Sequence, residues 1–189
     1  MKKFSAFDLC IIALFTSLTI VSAQVAIPLP GGVPFTLQTL VIPLTAAIAG
    51  PVLGTLTTAL YLLLGAVGLP VFSGFSGGFA ALIGPNAGFL WGFLPLAALT
   101  GLSYRLAAKT PHPQFTALLG TGMALALQLF AGSLVFAAVS HLSLHAANLV
   151  CVWPFIPTTI VKLILVLALA RQLTPVFRKF ALKSQLSQY

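Results

Sequence analysis

Long apolar stretches, separated by short polar or glycine- and proline-rich breaks, run through the whole chain. A membrane-spanning helix needs about 20 mostly apolar residues, because each residue adds about 1.5 Å. The pattern therefore predicts an all-α, polytopic membrane protein with a bundle of six transmembrane helices in a single integral membrane domain, residues 1–189. The predicted spans cover residues 5–27, 35–49, 52–69, 79–106, 115–139 and 150–173.

Two of the breaks are uncharged and have unusual compositions. Residues 28–34 contain three prolines and two glycines, which exclude a helix there. Residues 72–78 combine glycine with aromatic side chains. Pro43 interrupts the second span, and such irregular helices are tolerated where neighbouring helices or a cavity satisfy the freed backbone groups. We expect the two loops to cover a pocket at the outer end of the bundle.

The beginning of the chain is similar to a secretory signal. Lys2 and Lys3 precede an apolar run, and residues 21–23 imitate a cleavage site. We expect an uncleaved helix, because removal would leave an odd number of spans and disturb the charge pattern that follows.

Composition excludes other classes of protein. The chain is 59% hydrophobic and only 5% charged, whereas a soluble domain has about a quarter of its residues charged. So much apolar side chain also excludes a disordered chain. The single acid, Asp8, leaves little for carboxylate catalysis, so we expect no enzyme. Cys10 and Cys151 are predicted to lie near opposite membrane faces and not to be bonded to each other.

The basic residues predict the orientation in the membrane. Eight of the nine lysines and arginines lie in the terminal and connecting segments of one side, and the outer loops hold none. The positive-inside rule then places both termini in the cytoplasm, in a bacterial-type cytoplasmic (inner) membrane and in contact with its lipid. No nucleic-acid partner is expected, because no basic surface forms. The eight residues are Lys2, Lys3, Arg105, Lys109, Arg171, Arg178, Lys179 and Lys183.

Lys162 is the exception, because it lies deep within the sixth predicted span, about nine positions before Arg171 and toward the outer half. A charge at membrane depth costs at least about 2.5 kcal/mol on the translocon scale and indicates a functional site. Asp8 lies at the opposite end of the first span, so the expected partner is an anionic or carbonyl-rich ligand from outside. The alternative is that the ammonium snorkels to the outer interface or is capped by backbone carbonyls.

Other polar residues could lie at the same depth. Thr158 and Thr159 share a helical face with Lys162, while Gln38 and Asn86 lie at the outer starts of the second and fourth spans. A buried amide needs a polar partner, which is either protein or ligand. Helix capping by each polar residue alone, and an interfacial belt for the aromatics, are the alternatives. The candidate substrate-binding residues are Lys162, Thr159, Asn86, Gln38, Thr158, Phe72 and Trp91.

Four ordered segments resemble the BioY family, the biotin-specific S components of energy-coupling factor (ECF) transporters. The V-P-F-T-L-Q-T-L run at residues 33–40 is the most characteristic of them, whereas the glycine patches alone would be weak. The likeness extends from the first helix to the sixth. The similar segments are residues 28–40, 61–72, 84–93 and 154–157, the last of them ahead of Lys162.

This resemblance implies a six-helix subunit that binds biotin near the outer face. We expect no cofactor and no metal. The resemblance also implies a transmembrane T component and a pair of ABC-type ATPases as partners, although some members are thought to act alone. Ala13 and Ser17 fit the small-xxx-small form of a partner interface on the first helix. The sequence has no Walker motif, so ATP hydrolysis would lie on another polypeptide.

One position departs from the family pattern. Members typically read P-x-x-P-x-D-x-x-K in the sixth helix, whereas Thr159 occupies the Asp position here and Lys162 is retained. A threonine hydroxyl still accepts a hydrogen bond but carries no charge. The site is therefore expected to be more positive, and the ligand oxygen that Lys162 meets, carboxylate or ureido carbonyl, stays open.

Other functions are alternatives to biotin binding. The G-F-S-G sequence around Ser76 is similar to that of rhomboid intramembrane serine proteases, but the candidate bases His141 and His145 fall in a connecting loop. The same two histidines lack a third metal ligand, so no metal site is expected. An S component for a different vitamin and a scaffold protein are the remaining alternatives.

Overall fold

The computed structural model describes residues 4–29 and 31–186, with side chains as far as residue 181. Lys2, Lys3 and Pro30, and the side chain of Lys183, lie outside the described part. The architecture is all-α apart from one small β-hairpin. The main elements are α1 (Ala6–Gln24), β1 (Ala26–Ile27), β2 (Phe35–Thr36), α2 (Gln38–Ala66), α3 (Ala87–Ala107), α4 (Pro113–Val139), α5 (Leu144–Cys151) and α6 (Ile156–Leu186).

Helix α2 is a hairpin of two antiparallel arms. Gly50 has φ 88° and ψ 173°, which ends one helical arm and starts the next at Pro51. A β-carbon built on Gly54 would lie 2.6 Å from the Cα of Ala46, so the two arms pack closely below the turn. Only glycine adopts such a backbone conformation without strain and permits so close an approach.

The hairpin determines how the spans are counted. By length and composition, the described residues contain five helical stretches able to cross a membrane, and Gln38–Ala66 is one of them. Its two arms, residues 38–49 and 51–66, correspond to the second and third predicted spans. With the arms counted separately, the described residues contain six candidate crossing helices, and these two are short, as the sequence predicts.

Glycines also bring α3 and α4 together. A β-carbon on Gly88 would lie 2.5 Å from the carbonyl oxygen of Ala131, and one on Gly132 would overlap the Phe89 ring. Gly88 and Gly92 form a G-x-x-x-G pair on α3. In lipid, close backbone approach and van der Waals packing are the main forces that associate helices. This glycine-lined contact therefore holds the two helices in register.

The chain's single acid serves to start α1. The carboxylate of Asp8 accepts a hydrogen bond from the Ser5 amide at 3.0 Å, and the Ser5 hydroxyl accepts from the Asp8 amide at 3.2 Å. This capping box satisfies two of the amide groups that a helix start leaves without partners. Asp8 is thus used at a helix end.

Several helix bounds differ from the predicted spans. Helix α3 begins at Ala87, not at residue 79, because Gly84 and Pro85 interrupt the helix and only a 3-10 turn, Phe79–Leu82, precedes them. The predicted sixth span, 150–173, contains two helices: α5 ends at Cys151, and α6 continues to Leu186 with Pro175 inside it. The proline-rich break between α1 and α2 is the loop of the β-hairpin, in which Ala26 pairs with Thr36.

Candidate functional site

A cavity of about 270 Å³ lies where α2, α3 and α6 begin. Its walls include the β2 region, the loop after the second arm of α2 and the turn before α3, so the two predicted cover loops both contribute. The volume is close to the lower end of the roughly 300–1,000 Å³ of small-molecule sites. The residues that line the cavity include Thr36, Gln38, Phe72, Asn86, Gln128, Thr159 and Lys162.

Lys162 extends from α6 into the cavity wall and is only 5% exposed. Its Nζ donates to the carbonyl oxygen of Thr36 at 2.6 Å and to the hydroxyl of Thr39 at 2.7 Å. It also lies 4.0 Å from the centroid of the Phe35 ring, within cation–π range. The ammonium has three N–H donors, of which protein atoms use two. The Lys162 ammonium is therefore capped by a backbone carbonyl and also lies on the wall of a cavity.

The residues around Thr36 form a chain of hydrogen bonds. This chain holds in place the Thr36 carbonyl group that accepts from Lys162. The Thr36 hydroxyl donates to Oε1 of Gln38 at 2.9 Å, and Nε2 of Gln38 donates to the Tyr61 hydroxyl at 2.6 Å. Tyr61 lies on the second arm and is fully buried. Both ends of the Gln38 amide are thus bound to protein, so Gln38 supports the lysine site although it also borders the cavity.

The loop that contains Phe72 covers the cavity and is tied to α1. The Phe72 ring packs edge-on against Tyr61 with centroids 5.4 Å apart, and it occupies the space where a β-carbon on Gly65 would be. Gln24, the last residue of α1, donates to the carbonyl oxygens of Val71 and Phe72 at 3.3 and 3.2 Å. Its Oε1 accepts from the amide of Phe75 at 3.0 Å.

Asn86 joins the first cover loop to α3. Its Nδ2 donates to the carbonyl oxygen of Gly32 at 3.2 Å, which connects the start of α3 to the tip of the β-hairpin. Its Oδ1 is buried and has no partner among the described residues. The structure therefore brings Asn86 to the same cavity as Lys162, with an acceptor oxygen that no described group uses.

The remaining predicted site residues differ in position. Thr159 lines the cavity and is partly buried. Thr158 is not among the lining residues, and its hydroxyl donates to the carbonyl oxygen of Phe155 at 2.9 Å. Trp91 is 49% exposed on the outside of α3, and its indole donates to the Leu82 carbonyl oxygen at 3.0 Å. Thr158 and Trp91 are therefore not brought to the cavity.

The protease and metal alternatives find no support in the described part of the chain. The Ser76 hydroxyl donates to the carbonyl oxygen of Ser73 at 2.8 Å, within its own loop. His141 follows the end of α4, and His145 lies on the short helix α5. Within that part, no group of three or more His, Cys, Asp or Glu side chains could hold a metal.

Ala13 and Ser17 are exposed on α1, and the Ser17 hydroxyl donates to the Ala13 carbonyl oxygen at 2.9 Å. Sequence reasoning did not select Gln24, Tyr61 or Gln128. Tyr61 falls within one of the segments similar to the BioY family, which is the one signal that pointed to it. Nothing local distinguishes Gln24 or Gln128 from other polar residues in apolar helices.

Known proteins share this fold. A crystal structure of the S-component for biotin from an ECF-type ABC transporter superimposes with a TM-score of 0.82 and 26% sequence identity, covering 90% of this chain and 94% of that one. Rhodobacter capsulatus biotin transporter BioY is 36% identical over 174 residues, 87% of this chain and 91% of the relative.

Biotin transporter BioY of Thermotoga maritima is 51% identical over 89 residues, so the match spans about half of each protein, 47% and 52% respectively. The model of the BioY family matches residues 1–179. The matched region contains the cover loops, the characteristic run at residues 33–40 and the cavity lysine. The chain therefore belongs to the BioY family.

Proposed function

We propose that the chain binds biotin with high affinity and mediates its uptake across the cytoplasmic membrane as the S component of an ECF-type transporter, and that it is not an enzyme. The observation that carries this is the buried ammonium of Lys162 on the wall of a cavity of about 270 Å³. Its described partners are neutral oxygens and an aromatic ring. The ligand is inferred from the relatives, which include a biotin transporter and an S-component for biotin.

The charge of Lys162 explains why an anionic or carbonyl-bearing ligand is favoured. Two protein oxygens satisfy two N–H groups, and hydrogen bonds with an ionised partner are roughly twice as strong as neutral ones. Biotin offers a carboxylate at one end and a ureido carbonyl at the other. Thr159 lines the same cavity and adds a hydroxyl without the negative charge of an aspartate.

The orientation of the bundle follows from where the charges lie. The Phe7 and Phe177 rings are 5.9 Å apart, so α1 begins at the end of the bundle where α6 finishes. Arg105, at the end of α3, and Arg171, on α6, are exposed at that same end, away from the cavity. By the positive-inside rule this end and both termini face the cytoplasm of a bacterial-type inner membrane, and the cavity faces outward.

The proposed partners are a transmembrane T component and ABC-type ATPase subunits, the ECF module of such a transporter. Ala13 and Ser17 lie on the exposed face of α1 and fit the small-xxx-small form that lets two membrane helices approach closely. Coexpression with an ECF module, followed by Ala13→Leu in α1, tests this contact. Loss of copurification supports it, and unchanged copurification contradicts it.

Biotin retention in detergent tests the proposed function. The wild-type protein should copurify with biotin, and Lys162→Met should weaken binding at least tenfold, because a hydrogen bond to a charged group contributes about 1.5–3 kcal/mol. Thermal unfolding of both proteins in the same detergent controls for folding. A folded Lys162→Met protein with unchanged affinity would contradict the proposed role of the lysine.

Competition with ligand analogues identifies what the site recognises. If Lys162 meets the carboxylate, biotinamide should bind more than tenfold more weakly than biotin, a difference of about 1.4 kcal/mol. Equal affinities would assign the ammonium to the ureido carbonyl. Radiolabelled riboflavin and thiamine test the alternative of a different vitamin, and tight binding of either one in preference to biotin would overturn the ligand assignment.

A further inference from the structure

Gln128 is the most deeply buried polar side chain of α4 that borders the cavity, with 2% exposure. Its Nε2 donates to the carbonyl oxygen of Phe89 on α3 at 3.4 Å. A β-carbon on Gly92 would lie 3.0 Å from Cγ of Gln128, so the glycine creates the space in which the side chain lies. Its Oε1 is buried and has no partner among the residues that the structure describes.

The orientation of this amide follows from its contact. A carbonyl oxygen accepts hydrogen bonds and cannot donate, so the group that faces Phe89 must be the NH₂ of Gln128. The oxygen is then left as the free end. The same reasoning applies to Asn86, because its NH₂ faces the carbonyl oxygen of Gly32. Both residues line the same cavity, and their buried amide oxygens are acceptors without a described donor.

A donor for these oxygens is scarce within a helical membrane bundle. Helix interiors use their own backbone N–H groups, which leaves few protein donors for these oxygens. Buried hydroxyls such as Thr121 can rotate toward a carbonyl of the preceding turn, an option that an acceptor oxygen lacks. An unpaired buried acceptor is unfavourable, and each such group in a native structure requires an explanation.

We propose that Oε1 of Gln128 accepts a hydrogen bond from a ureido N–H of biotin and makes Gln128 a specificity-determining residue. This inference rests on the proposed function. Biotin has two ureido N–H groups, and the chain's one side-chain carboxylate caps α1, so the side-chain acceptors that line the cavity are neutral oxygens. Asn86 and Gln128 supply two of them, on α3 and α4.

Biotin binding by substituted proteins tests this proposal. Gln128→Met removes the acceptor at similar volume and should weaken binding at least tenfold. Gln128→Glu should restore affinity to within about threefold of wild type, because a buried, protonated carboxyl group offers both an O–H for Phe89 and an acceptor oxygen. Thr121→Val is the matched control: it removes an equally buried hydroxyl without a described partner from the same helix, away from the cavity, and should leave affinity unchanged.

Ligand analogues separate a direct contact from a structural effect. Biotin methylated at the ureido nitrogen that faces Gln128 should bind Gln128→Met and the wild type with similar affinity, whereas desthiobiotin, which keeps both N–H groups, should show the full loss. Both N-methyl isomers are measured. The role of Gln128 would be overturned if Gln128→Met lost the same affinity for every ligand, or if its biotin affinity were within twofold of wild type. Biotin binding by the chain would still stand in either case. Failure of the wild type to bind biotin would overturn both.

Discussion

The two ends of the bundle treat positive charge in opposite ways. At the end where α3 and α6 finish, Arg105 and Arg171 are exposed on the surface. At the end where these helices begin, Lys162 is buried between a carbonyl, a hydroxyl and an aromatic ring. Charges at the first end can meet water and lipid headgroups, whereas the charge at the second is desolvated and therefore needs specific partners. An exposed basic side chain thus indicates the orientation of the bundle in the membrane. A basic side chain that is buried among specific partners indicates a binding site.

The largest effect on this difference is expected from Gly65→Ala. A β-carbon there would lie 2.0 Å from the Phe72 ring, so the ring must leave its place against Tyr61 and the cover of the cavity must shift. We expect biotin affinity to fall more than tenfold, measured by titration in detergent.

Gly122→Ala is the matched control for that substitution. The nearest atom to the new β-carbon is Cδ2 of Leu163 at 3.7 Å, an ordinary van der Waals contact. This protein should bind like the wild type. Equal affinities of the Gly65 and Gly122 variants would show that the position of Phe72 is unimportant for binding.

An intermediate effect is expected from Tyr61→Phe. The change removes the hydroxyl that accepts from Gln38 and leaves a buried N–H unpaired, which costs about 1–3 kcal/mol. The thermal unfolding temperature and biotin affinity should both fall, because the chain of hydrogen bonds that positions Thr36 is broken.

Tyr104→Phe provides the comparison at the opposite end of the bundle. The Tyr104 hydroxyl is buried and has no partner among the described residues, so its removal leaves nothing unpaired. The unfolding temperature of the Tyr104→Phe protein should stay the same or rise slightly relative to wild type. A larger loss from Tyr104→Phe than from Tyr61→Phe would contradict the role assigned to the Gln38–Tyr61 contact.

The smallest effect is expected from Arg105→Gln. Its side chain is exposed at the end far from the cavity, so biotin affinity in detergent should be within twofold of wild type. Measurement alongside Lys162→Met gives a direct comparison of the two ends. A tenfold loss of biotin affinity in Arg105→Gln would contradict the distinction between charges that orient the bundle and the charge that binds the ligand.

Much of the architecture was predictable because apolar length and proline or glycine breaks are local signals. The hairpin at Gly50 and Pro51 is an example, since neither residue continues a helix in that position. The predicted start of α3 is too early because residues 79–83 are apolar enough for a helix, although Gly84 and Pro85 separate them from it.

The site was only partly predictable. Lys162 could be identified because a charge in an apolar run is unusual wherever the helix lies. Whether a polar residue binds protein or ligand depends on contacts between distant segments, as for Gln38 and Tyr61, 23 residues apart. For the same reason the sequence does not show that Trp91, a predicted binding residue, faces outward, or that Gln128 lines the cavity.

Gln24 gives α1 a direct mechanical connection to the cover of the cavity. Its side chain makes three hydrogen bonds with backbone groups of residues 71–75, and these groups are not free to move independently of the helix end. Any tilt of α1 relative to the bundle therefore pulls on the loop that holds Phe72. A neighbouring subunit that pressed on the exposed side of this helix would therefore also displace the loop that covers the cavity.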